Sequence, residues 1–81
     1  DPASLVILTD RDVAVGKTLV ELDLRARTGA IVLAICGSDG ASAVPTGRER
    51  LAVGDRLALA GTLDARRAAA AMLRSGDAPA T

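Results

Sequence analysis

The chain is predicted to fold as α+β: a small two-layer domain, mostly antiparallel sheet of about four strands with two short helices, dimeric in its working form. Three features predict it. Short aliphatic runs at Leu5–Leu8, Ala30–Ile35, Ala41–Val44 and Arg56–Ala60 end in polar residues, glycine or proline, as strands do. Lys17–Arg27 and the stretch after Thr62 are instead rich in Leu, Ala, Arg and other good helix formers. Finally, the chain has 81 residues and no Phe, Tyr, Trp or His. One domain of this size buries only roughly 60–65% of the surface its unfolded chain exposes. Each absent aromatic removes a packing unit of about 150–250 Å². The core is therefore Leu, Val, Ile and Ala, with Met72 as the flexible filler. A core this lean gains its missing burial from a disulfide, a metal or a second subunit. One cysteine, Cys36, closes no internal disulfide and fits a reducing compartment. A homodimer is the expectation.

The elements follow in order. Leu5-Val-Ile-Leu8 reads as a strand that ends in the polar turn Thr9–Asp12, and Val13–Val15 either extends it or forms an arm. Across Lys17–Arg27, Leu19 and Leu22 share a helical face, although Leu22 and Leu24 also suit strand alternation. Charged straight-chain residues and a closing Gly29, suited to a left-handed cap, favour a short amphipathic helix. Ala30–Ile35 holds no polar residue, as expected of a strand covered on both faces. Ser38-Asp39-Gly40 is hairpin chemistry. Ala41–Val44 returns as a strand, and Pro45 ends it by withholding a donor. Thr46–Ala52 is a polar loop anchored by Leu51, and Gly54-Asp55 turns into a strand whose Leu57 and Leu59 point to one face.

Propensity alone allows one helix across Arg56–Arg74. Against it, Gly61 costs a helix about 1 kcal/mol relative to Ala. Thr62 is a ready N-cap, with Asp64 in the first turn that follows. Leu63, Ala70 and Leu73, with Met72 beside them, then form the apolar stripe, Ser75-Gly76 stops the helix, and residues 75–81 are a flexible tail. The chain is thus one domain over residues 1–81, with its core at about 5–74. It starts at Asp1 rather than Met, which suggests a segment of something longer.

Several function classes are excluded on chemical grounds. Ten basic residues balance ten acidic ones. Arg48, Arg50, Arg56, Arg66 and Arg67 are interleaved with Glu49, Asp55 and Asp64, so they read as solvated surface charge rather than a phosphate-neutralising face. No nucleic-acid partner is expected. No apolar run reaches the ~18 residues that span a bilayer, and no signal peptide is visible. Gly16-Lys17-Thr18 lacks the upstream glycine of a phosphate loop, since Arg11 stands there, and Val13 and Val15 do not form an amide nest. It reads as a turn feeding a helix. Cys36 has no histidine to activate it and closes an apolar strand, so it is structural. One Cys and scattered carboxylates make no metal site. Asp10, Asp12, Glu21, Asp39 and Asp55 lie mostly at turns, where side chain-to-backbone bonding explains them. An enzyme is not expected.

The ordered set Val15-Gly-Lys-Thr-Leu19, Leu22-Asp-Leu24, Thr28-Gly29, Val32-Leu-Ala-Ile35, Pro45, Leu51, Gly54-Asp55 and Leu59-Ala-Gly-Thr62 resembles the TrkA-C domain. That domain is the C-terminal half of the RCK (regulator of potassium conductance) unit. The spacing agrees without gaps from Ala34 to Asp55, and the likeness covers residues 5 to 74. The resemblance implies a cytoplasmic regulatory domain that dimerises and controls a potassium channel, an uptake subunit or a cation/proton antiporter. It sits at the membrane's cytoplasmic face through the attached transporter and inserts nothing itself. It also implies a ligand site in the dimer cleft at Ile35, Cys36 and Gly37, with Val44 and Pro45 opposite, where some members hold cyclic di-AMP. The family pattern often places Arg at the position of Gly37, sometimes at Cys36, and Asn at that of Val44. An Arg–phosphate contact contributes about 1.5–3 kcal/mol, and glycine offers no substitute. The expectation is therefore no cofactor, with cyclic di-AMP disfavoured but still open. A purely structural dimerisation module with no ligand is the alternative.

Overall fold

A computed structural model describes residues 3–75. Apart from Ser75, the expected tail at 75–81 lies outside the described residues. The elements are β1 (Ala3–Ile7), α1 (Leu19–Leu22), α2 (Leu24–Thr28), β2 (Ile31–Cys36), β3 (Ser42–Ala43), β4 (Arg56–Ala60) and α3 (Leu63–Ser75). They build one antiparallel sheet of four strands in the order β1-β4-β2-β3, with helices packed on a single face. The α+β architecture is the one expected. The last strand in sequence is an inner strand of the sheet because its alternation is the strongest: Leu57 and Leu59 are fully buried. It pairs with β1 on one side, from Ala3–Ala60 to Ile7–Arg56, and with β2 on the other.

The single helix across 56–74 does not form. Gly61 has φ 136°, outside any helical region, and the Thr62 hydroxyl accepts the Ala65 N–H at 3.1 Å, which starts α3 afresh. Arg66, Ala69, Met72 and Leu73 make its buried face. Leu63, assigned to the stripe from sequence, is 51% exposed. At about 100° per residue it lies roughly a quarter turn or more from the centre of that face. Arg66 is buried without a carboxylate: its Nε donates to the Gly61 carbonyl (3.1 Å) and its Nη1 to Ser4 Oγ (2.7 Å).

The expected helix of Lys17–Arg27 is two short helices. Thr18 caps the first in a reciprocal box with Glu21. Asp23 then adopts a left-handed backbone (φ 52°, ψ 44°), and α2 runs from there to Gly29 at φ 83°. The break resolves the Leu22/Leu24 ambiguity. Residues two apart on one helix point about 200° apart, yet both leucines are buried. Reversing the backbone at Asp23 brings both inward. Val13–Val15 neither extends β1 nor forms an arm. The N–H groups of Val13 and Ala14 donate to the carbonyls of Arg74 and Leu73, satisfying the C-terminal end of α3, and Ala14 is fully buried. Buried Asp12 accepts the Thr9 N–H at 2.8 Å and stands 3.6 Å from the Arg74 guanidinium.

Two strand expectations need correction. β3 is only Ser42–Ala43 rather than Ala41–Val44: Val44 is 80% exposed, and the adjoining Pro45 has no donor with which to continue the ladder. β2 is covered on one face only. Its register skips Leu33 between Val32 and Ala34, a bulge. Leu33 (50%) and Ile31 (46%) stay exposed beside Leu5 (61%) and Ile7 (50%) of β1. The helices fill the inner face, so the all-apolar run of β2 leaves an unpartnered apolar outer face.

Candidate functional site

The residues expected to hold a ligand sit where β2 turns into β3. Ile35 pairs with Ala43 and with Leu57, and its side chain packs against the core. Cys36, half-buried, pairs with Ser42 on one side and Arg56 on the other. Gly37 opens the turn: its N–H donates to the Ala41 carbonyl at 2.7 Å and its carbonyl accepts the Gly40 N–H at 3.0 Å. Asp39 Oδ1 accepts the Ala41 N–H at 2.9 Å, and Gly40 takes φ 88°. A Cβ at position 37 would meet Asp39 Oδ1 at 2.9 Å, so a side chain there displaces the carboxylate that tightens the turn.

Ile35, Cys36 and Gly37 are thus contiguous at one end of the sheet. Val44 projects into solvent beyond β3. Pro45 turns away from them to line a different feature, a groove of about 510 Å³ between the short helices and the start of β2, with Leu19, Val20, Asp23, Ile31 and Gly47. The five expected residues therefore do not enclose one pocket within a single copy. Cys36 lies on the open outer face beside the Gly37 turn, whereas Ile35 faces the core and Pro45 the groove.

Arg56, expected from its acidic neighbours in sequence to be solvated surface charge, stands at this site. Leu57 and Leu59 point inward, so alternation turns Arg56 outward. The ladder places it in the row Ile7–Arg56–Cys36–Ser42. It is exposed and has no hydrogen bond or ion pair with the described residues. Alternation predicts its direction; only strand register predicts its neighbour.

The carboxylates with displaced acidity brace loops elsewhere. The Thr18 N–H and hydroxyl hold Glu21 below the usual carboxylate range, with Arg50 at 3.7 Å assisting. The Thr46 N–H is the largest influence lowering Glu49, and the Gly47 N–H also donates to it. Among the described residues no three Cys, Asp or Glu side chains converge as metal ligands, and no helix is long and apolar enough to cross a membrane.

The family model described as TrkA-C domain matches residues 4–74. No curated protein matches the chain. Among solved structures, the RCK_C domain dimer of S. agalactiae BusR in complex with c-di-AMP is 27% identical, with a TM-score of 0.73 over 94% of this chain and 99% of that chain. The RCK C domain of the potassium transport protein KtrA, also in complex with c-di-AMP, is 25% identical with a TM-score of 0.68, covering 80% of this chain and 75% of that one. The GsuK channel bound to NAD is 32% identical with a TM-score of 0.67 over 78% of this chain. The chain spans 31% of BusR in its complex with busAB-promotor DNA and 12% of the GsuK channel.

Proposed function

This chain belongs to the TrkA-C domain family, and from that membership we propose that it is the regulatory, ligand-sensing dimerisation domain of a protein that transports potassium or another monovalent cation. The observation that carries the reading is the likeness, over 94% of this chain and 99% of that one, to a domain solved as a dimer in complex with a ligand. Two further neighbours are a potassium transport protein and a channel by name. The exposed apolar outer face supports the dimer. It is the surface a lean aliphatic core leaves over, and a second copy is the partner that a closed two-fold assembly supplies.

In this reading the domain carries no catalysis. Its partner is a membrane-embedded cation transporter (channel, uptake subunit or antiporter) in the same or another chain, and its place is the cytoplasmic face. The ligand-binding residues are Ile35, Cys36 and Gly37, with Val44 and Pro45 brought in where two copies meet. A ligand acts by binding one arrangement of the dimer better than another and shifting the population toward it. BusR is solved in complex with promotor DNA, but the charges of this chain are balanced and interleaved, and no nucleic-acid partner is proposed for it.

A second reading, a structural dimer without a ligand, is favoured by the small Gly37 and apolar Val44. Two measurements on the 81-residue chain separate the readings. Light scattering at high micromolar concentration is expected to give twice the monomer mass, and a persistent monomer sinks both. A melting-temperature screen with cyclic dinucleotides, NAD and monovalent and divalent cations is expected to show one saturable upward shift. A dimer that no ligand stabilises leaves the structural reading standing.

A further inference from the structure

Arg56 is the only charged residue that strand alternation turns to the outer face of the four described strands; the outward residues beside it are aliphatic, alanine, Cys36 and Ser42. Directly opposite residues on neighbouring antiparallel strands have Cβ atoms about 4.5–5.5 Å apart. The Arg56 side chain therefore rises beside Cys36, one residue from the Gly37 turn. The carboxylates of the flanking turns, Asp39 and Asp55, bond to backbone. Asp39 Oδ1 accepts the Ala41 N–H, and Asp55 Oδ2 accepts the Ala52 N–H at 2.9 Å. Neither is bonded to Arg56, and no other acid faces it from β1, β2 or β3.

An unpaired guanidinium on an open apolar face is well hydrated. Covering that face with a second copy strips its water and supplies no carboxylate, because the copy presents the same acid-free surface. A buried cation left unpaired is strongly unfavourable. An anion from outside completes the site, and a guanidinium binds a phosphate through two parallel hydrogen bonds. Symmetry narrows the ligand further. A two-fold dimer presents Arg56 twice, and a cyclic dinucleotide presents two equivalent phosphates and two apolar base faces.

We propose that Arg56 is the phosphate-reading residue of the ligand cleft, delivering from β4 a guanidinium beside Cys36 and Gly37 to a two-fold symmetric nucleotide with two phosphates. This rests on the dimeric, ligand-sensing reading above. It reverses the expectation that glycine at position 37 disfavours such a ligand, because the cation arrives from the neighbouring strand.

Calorimetric titration of the 81-residue chain with cyclic di-AMP tests it, with light scattering on the same samples. Wild type is expected to bind with an affinity that falls as salt rises. Arg56→Gln weakens binding about tenfold or more, Arg56→Lys loses less, and the exposed-site control Arg67→Gln binds as wild type. All variants stay dimeric in the absence of ligand; Arg67→Gln melts as wild type, and Arg56→Gln melts at or above it because an unpaired buried cation has been removed. Wild-type affinity retained in Arg56→Gln overturns the role of Arg56 and leaves ligand sensing intact. Inorganic pyrophosphate binding as tightly as the dinucleotide overturns the nucleotide assignment. A dimeric wild type that binds neither probe overturns the proposal, and the melting-temperature screen with NAD and cations then decides separately whether ligand sensing stands.

Discussion

Asp23 shows how one residue sets the local chain direction. It is the only non-glycine among the described residues with a left-handed backbone, and its side chain makes no capping bond. Asp tolerates that conformation better than residues lacking a short polar side chain. Its worth lies in the break itself, which lets Leu22 and Leu24 both reach the core. Asp23→Ala is therefore expected to lower stability by about 1 kcal/mol, and Asp23→Gly to leave it unchanged or slightly raised. Urea denaturation of the two variants decides the point; equal losses from both would assign the effect to the carboxylate rather than the backbone. The αL state was not legible in the sequence, because aspartate populates ordinary backbone far more often. By contrast, Thr62 and Gly61 were legible as a strand stop and a helix start. Each needs only its neighbours in sequence to act, and the Thr62 hydroxyl bonds three residues ahead.

Short elements depend on their ends. α1 has four residues, and its stability comes from the Thr18–Glu21 box and from Arg50, which donates to the Gly16 carbonyl at 2.8 Å and stands beside Glu21. Backbone and hydroxyl bonds from Thr18 hold the folded Glu21 carboxyl below its ordinary range. Because the folded pKa is lowered, the stabilisation is fully present above the unfolded carboxyl's range and is lost as pH falls through the folded value. Chemical denaturation at a series of acid pH values is expected to show a steeper loss for wild type than for Glu21→Gln. Identical slopes would mean that the box contributes no linked stability. The hairpin turn at Ser38–Gly40 was equally readable, since Asp39 and Gly40 carry its geometry themselves. The length of β3 was not. Val44 has strand propensity and the register would set it opposite Ala34, but the ladder stops at Ala43, just before Pro45.

At the scale of the molecule, the apolar outer face is the chain's unfinished surface. Leu33, pushed out by the bulge, lies on it with Leu5, Ile7 and Ile31. Leu33→Glu is expected to convert a dimer to a monomer without loss of the monomer's own fold, because Leu33 is half exposed and contributes little to the inner core. Sedimentation equilibrium with circular dichroism checks both halves; a dimer that survives the charge moves the interface off this face. The ligand site was only partly legible. Ile35, Cys36 and Gly37 are contiguous in sequence and remain so in space, whereas Pro45 lines the groove beside the short helices, and Arg56 was not recognised. By itself the sequence determined where the four strands and their turns fall, though not the extent of β3, together with the start of α3, the aliphatic core and the family spacing, since each depends on periodicity or on residues a few places apart. Only the tertiary structure decided that β4 inserts between β1 and β2, and that Arg56 consequently stands beside Cys36. Strand order and register are set by burying Leu57 and Leu59 from both sides at once, a long-range packing condition that no local stretch of residues encodes.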